Sequence, residues 1–106
     1  MKKLFISSDH AGFNLKEKIK KNFRKKYFFV DLGTDNSKTS VNYPDFAHKL
    51  CKKVSKNSKN IGILVCGSGI GMSMAANRHK NIRAAVCYSA KNTKLSRLHN
   101  NANIIT

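Results

Sequence analysis

Cys66-Gly67-Ser68-Gly69-Ile70-Gly71 sets a thiol at the end of an apolar run, Ile61 to Val65, and follows it with three alternating glycines and a hydroxyl. Glycines let the backbone approach a ligand and turn several N–H groups toward one point, and a helix starting just after them adds its positive dipole end. A thiol in that setting is expected to ionise more readily than the ~8.5 of a free cysteine, which suits a nucleophile or a proton carrier. The plainer alternative is a small packing residue before an ordinary strand-to-helix turn.

Around this turn the sequence offers Asp9, His10, Tyr43, His99 and Asn100 as polar partners, and no cluster with metal-ligand spacing. His10 and His99 are expected beside other polar strand-end residues. His48 and His79 are read as solvent-facing or satisfied. Cys51, Cys66 and Cys87 lack C-x-x-C spacing, so reduced thiols are expected rather than a disulfide framework or a zinc site.

The order of apolar runs and turns sets the elements that carry these groups. Leu4 to Ile6 reads as a strand, and Leu15, Ile19 and Phe23 as the stripe of a helix opened by Gly12. Tyr27 to Val30 is a second strand, closed by Asp31-Leu32-Gly33-Thr34. Pro44 suits the first turn of a helix with Phe46, Leu50 and Val54 inward. Ile61 to Val65 forms the third strand, and the helix after the glycines turns Ile70, Met74 and Ala75 inward. Ile82 to Val86 is a fourth strand, Ser89 caps a helix carrying Leu95 and Leu98, and Ala102 to Ile105 begins a fifth. Strand and helix alternate about every 25 residues, the pattern of a Rossmann-like α/β fold: one domain over 1–106, a parallel sheet of about five strands, helices on both faces. Ligands of such sheets gather beyond the carboxyl ends of the strands, so Asp9, His10, Cys66 to Gly71 and Tyr88 are expected along one edge.

Composition narrows the partners. The 106 residues carry a net charge of +16, with 17 Lys, 4 Arg and 12 Asn. Lysines 16, 18, 20, 21, 25 and 26, and 49, 52, 53, 56 and 59, are read as solvated helix faces. Nucleic acid is not expected as a partner, because the aromatics lie in apolar positions and do not interleave with the basic residues. No run approaches the ~18 apolar residues of a membrane span, and the N-terminus does not read as a signal peptide, so a cytoplasmic protein without membrane contact is expected. Position excludes further classes. A receiver domain needs an aspartate where Cys66 stands. A C-x5-R phosphatase needs an arginine where Met72 stands. A phosphocysteine transport subunit carries its turn after strand one, and a dinucleotide fold also needs its glycines there.

Ser8-Asp9-His10-Ala11-Gly12, Asp31-Leu32-Gly33-Thr34, Tyr43-Pro44-Asp45, the glycine turn, Ala75-Ala76-Asn77-Arg78, Ile82-Arg83-Ala84-Ala85 and the run Leu95 to Asn103 follow one another in an order that resembles the type B ribose-5-phosphate isomerase family, which also includes galactose-6-phosphate isomerase subunits. The resemblance implies an aldose–ketose isomerase of phosphorylated sugars that needs no metal or organic cofactor. It implies Cys66 as the base that moves the C2 proton to C1 through a cis-enediolate, and His99 as the group that helps open the furanose ring; the chemistry of the turn agrees, since the Ser68 hydroxyl and the N–H groups of Gly67, Gly69 and Gly71 can supply donors to the enediolate. Asp9, Tyr43 and Asn100 would hold sugar hydroxyls, and His10 the phosphate. Some family members carry a glutamate where this chain has Met72. The resemblance also implies a homodimer or homotetramer with sites at the interface. The family's C-terminal helix and arginine-bearing tail are not in this sequence, from which a weakened phosphate clamp and weaker assembly are expected. A non-catalytic sugar-phosphate-binding subunit, a galactose-6-phosphate isomerase subunit and a polyanion binder stand as the other readings.

Overall fold

Leu4, Phe5 and Ile6 are buried in the middle of β1 (Lys2–Ser8), where a strand covered on both faces can place apolar side chains on successive positions. The computed structural model describes residues 1–106. It continues with α1 (Phe13–Phe23), β2 (Tyr27–Asp31), α2 (Tyr43–Val54), β3 (Gly62–Val65), α3 (Ile70–Ala76), β4 (Ala84–Ala85), α4 (Ala90–Asn100) and β5 (Ile104–Ile105). The five strands form one sheet in the order β2-β1-β3-β5-β4, and every pairing is parallel.

The better-filled core lies on the face covered by α2 and α3, where Phe5, Leu50, Val54, Leu64, Met72 and Ile104 pack together. Each fully buried leucine or methionine there contributes roughly 1.5–3 kcal/mol of burial free energy. Cys51 belongs to this layer, and burial pushes its thiol up to about 12, so it stays neutral and inert. On the opposite face α1 and α4 stand apart, leaving an apolar trough of about 540 Å³ over Leu4, Ile63 and Ile105.

Several sequence expectations change here. On α3, Ile70 and Met74 are exposed, and Met72, Ser73 and Ala76 are the buried positions; Ala75 does pack against the core. The glycine turn rotates the helix so that a different stripe meets α2. Leu15 and Phe23 of α1 keep substantial exposure because they border open hollows, and Leu95 and Leu98 of α4 are exposed as well. Lys16 is not a solvated lysine. Its side chain is 1% exposed, with its ammonium 2.6 and 2.8 Å from the two carboxylate oxygens of Asp31.

The fourth strand is shorter than Ile82 to Val86 because side chains do part of the pairing. Asn77 accepts from the Ala84 N–H and donates to the Ala84 carbonyl, at 2.8 and 2.9 Å, closing the free side of this edge strand. The Arg83 N–H goes to the Asn103 side chain. Ser89 caps α4 as expected, with Asn92 completing a reciprocal capping box.

Candidate active site

Register decides which residues meet. Ser8 of β1 lies opposite Val65 of β3, so the two residues that follow, Asp9 and Cys66, leave adjacent strands side by side at the carboxyl edge. The Asp9 N–H bonds to the Val65 carbonyl at 3.2 Å and fixes that adjacency. Here the chain passes from α1 on one face to α2 on the other, the place where an open parallel sheet leaves a crevice.

Cys66 is half-buried, and its sulfur accepts the Gly69 N–H at 3.1 Å, so the turn folds back over the thiol. Gly69 has φ +80, which favours glycine, and an added Cβ would lie 3.1 Å from the carbonyl carbon of Thr106. Ser68 Oγ accepts the Ile70 N–H at 3.2 Å, leaving its own proton free to donate. The N–H groups of Gly67 and Ser68 have no partner within the chain, and the space beside Gly67 is open. Unpaired amides beside a thiol form a donor set waiting for an oxygen. The turn borders a hollow of about 430 Å³ shared with Cys87, Ser89, Thr93 and Thr106.

The remaining groups come from two directions. Asp9 is 8% exposed, and its Oδ1 accepts the Gly12 N–H at 2.9 Å, which anchors the start of α1 and leaves Oδ2 for a ligand. His10 accepts the Val41 N–H at Nδ1, 3.1 Å away, so the neutral ring carries its proton on Nε2, a donor. Tyr43 begins α2 and lies on Gly71: a Cβ there would sit 2.8 Å from the ring and 2.9 Å from the hydroxyl oxygen. Gly71 is therefore needed to seat the tyrosine.

Cys66, Gly67, Ser68, Gly69, Gly71, Asp9, His10 and Tyr43 thus share one edge. His99 and Asn100 do not. They end α4, which starts at Ser89 on this edge and descends about 16 Å along the sheet. The Asn100 carbonyl accepts from Arg83, at the start of β4. The expectation that His99 stands beside the other strand-end residues is corrected for a single chain, because α4 runs antiparallel to the strands. Both residues are exposed. His48 and His79 bond to each other at 2.6 Å, matching their reading as satisfied. Met72 is fully buried and faces the core.

Sequence reasoning missed three contributors. Thr106 braces the turn through a hydroxyl bond to the Gly69 carbonyl at 2.8 Å. The His10–Val41 latch and the buried Lys16 also went unread. A lysine in an amphipathic lysine-rich helix carries no mark of burial, although its phase, three residues before the partly buried Ile19, is compatible with it.

A family model described as ribose/galactose isomerase matches residues 4–106. A probable ribose-5-phosphate isomerase B of Mycoplasma genitalium is 46% identical over 104 residues, spanning 96% of this chain and 68% of that protein. The ribose-5-phosphate isomerase B of Escherichia coli is 38% identical over 99% of this chain and 70% of its own length. Among solved structures, the Mycoplasma genitalium enzyme with bound ribulose-5-phosphate superposes with a TM-score of 0.92 at 44% identity, covering 97% of this chain and 69% of that one. A Thermotoga maritima ribose 5-phosphate isomerase gives 0.92 at 48% identity, with 97% and 71% covered.

Proposed function

Because the chain belongs to the ribose/galactose isomerase family, we propose that it is an aldose–ketose isomerase interconverting ribose 5-phosphate and ribulose 5-phosphate. The observation that carries the reading is Cys66, held beside Asp9 and under unpaired amides at the carboxyl edge of a parallel sheet. That arrangement offers a proton carrier and an oxyanion donor set within one turn.

The residues divide the work as follows. As thiolate, Cys66 takes the C2 proton of the open-chain sugar, and the electron pair moves through C1 onto the carbonyl oxygen. The Gly67 and Ser68 N–H groups, with the Ser68 hydroxyl, face the charge that develops there; removing one such donor costs about 10²–10³ in rate. After the O2 proton passes to O1, Cys66 returns its proton to C1. Asp9 Oδ2 and the Tyr43 hydroxyl hold sugar hydroxyls, and the Nε2–H of His10 points a donor at the phosphate.

His99 and Asn100 serve a site about one helix length away, so they reach it from a second copy of the chain. A homodimer, each copy lending the end of its α4 to the other's turn, completes both sites with residues that one copy holds apart. Three free cysteines suit the reducing cytoplasm, and no helix is long and apolar enough to cross a membrane. The reading is tested by following ribose 5-phosphate by NMR in heavy water. Formation of ribulose 5-phosphate labelled at C1, with exchange at C2 of the ribose 5-phosphate, supports it, and binding without exchange favours a non-catalytic sugar-phosphate-binding subunit.

A further inference from the structure

We propose that Lys16 is a positioning residue for the site, acting through Asp31 and Gly33 on the strand end that carries Asp9 and His10. Its ammonium is buried and bonds to both oxygens of Asp31, with Glu17 3.3 Å away. The same Asp31 Oδ1 accepts the Gly33 N–H at 2.8 Å. Gly33 then grips β1: its carbonyl accepts the Ser8 N–H at 2.7 Å and the Ser7 hydroxyl at 3.1 Å, while Thr34 donates to the Ser8 carbonyl at 2.9 Å. Ser8 immediately precedes Asp9. Three steps therefore connect a buried charge in α1 to the residue beside Cys66.

A buried ion pair is weak evidence for stability, since apolar residues of similar volume often do as well. What an apolar pair lacks is an acceptor of fixed direction. Asp31, held at both oxygens by Lys16 and at Oδ2 by the partly exposed Lys20 2.7 Å away, provides one at the last residue of β2, where the loop to Tyr43 begins. At its other end the loop is held by the Val41 N–H on His10, two residues beyond β1. The segment that brings Tyr43 to the turn is thus fastened at both ends to the strand end bearing Asp9 and His10, and Lys16 sets the first fastening. A displacement of this strand end shifts sugar and phosphate contacts together, and displacements near 1 Å cost up to about 10² in rate.

The kinetic arm of the test rests on the isomerase reading; a second readout does not. Lys16→Met, Asp31→Asn and the double variant Lys16→Met/Asp31→Leu are compared with the unaltered chain for thermal stability, for the ¹⁵N resonance of His10 Nδ1 and for KM toward ribose 5-phosphate. Lys16→Met is expected to raise KM roughly tenfold with kcat changed far less, and to move the His10 signal. Asp31→Asn, which keeps an acceptor for Gly33, is expected to lose stability while holding KM and the His10 signal near those of the unaltered chain. The double variant regains stability without regaining KM. Recovery of stability and KM together, or an unmoved His10 signal in Lys16→Met, overturns the proposal. Should Lys16→Met not fold, the Asp31→Asn and double variants decide by the same readouts. If the unaltered chain shows no turnover, the isomerase reading fails, and the His10 resonance still decides the role of Lys16.

Discussion

The ring of Tyr43 rests on the α-carbon of Gly71 with no room between them for a methyl group. One residue begins α2 and the other lies in the first turn of α3, so this contact sets where the phenol stands relative to Cys66. Gly71→Ala is expected to displace the ring and lower kcat/KM at least tenfold, with the fold retained. Gly67→Ala is the contrasting case. Nothing lies within 4 Å of its added Cβ, so stability should change by less than about 0.5 kcal/mol while the methyl group obstructs the ligand. Melting curves and steady-state kinetics on both variants check this pair, and a Gly67→Ala enzyme with unaltered KM contradicts it.

Acid stability should follow Asp31. Burial alone would raise its carboxyl, but hydrogen bonds from Lys16 and Lys20 and the Gly33 N–H outweigh it and hold the group below the ordinary 3.8. The unfolded chain then takes up this proton first. The stabilisation is present above 3.8 and lost as pH falls from there through the depressed folded value. Urea titrations between pH 6 and 2 should show this loss, and Asp31→Asn should flatten it.

The alkaline limb belongs to Cys51. Its buried thiol holds its proton up to about 12, whereas an ordinary thiol releases it near 9.0. The unfolded chain therefore loses a proton first, and stability falls as pH rises through that window. Cys51→Val should remove this part of the slope, and an unchanged slope assigns it elsewhere.

His99 provides the test of assembly. Cys66→Ser and His99→Asn are each expected to be nearly inactive. Mixed and allowed to exchange subunits, they should recover about a quarter of the unaltered activity, because half the dimers are hybrids with one intact site. Failure to recover any activity in demonstrated hybrids would place His99 outside the partner's site.

How much of this was legible in sequence depends on the range of the interaction. Alternation of apolar runs and the glycine turn specified the parallel α/β architecture, because those signals are local and periodic. That Asp9 and Cys66 share one edge followed from both ending strands, whereas their side-by-side placement needed the β1–β3 pairing. Lys16 was misread since its burial depends on Asp31, 15 residues away on another element, and nothing in a helix's own pattern reports a distant carboxylate. Ile70 and Met74 were assigned inward by spacing from the turn, but the left-handed Gly69 sets the phase of α3 and buries Met72 instead. The separation of His99 from Cys66 needed the direction of α4 and its length, not only its place in the chain order.

The most direct test of the central claim is deuterium incorporation at C2 of ribose 5-phosphate in heavy water by the unaltered chain and by Cys66→Ala, which leaves the turn's backbone in place. The account predicts exchange by the former and at least a 10³-fold loss in the latter, the combined scale of a proton carrier removed from an otherwise intact donor set. Exchange at an undiminished rate in Cys66→Ala would contradict it.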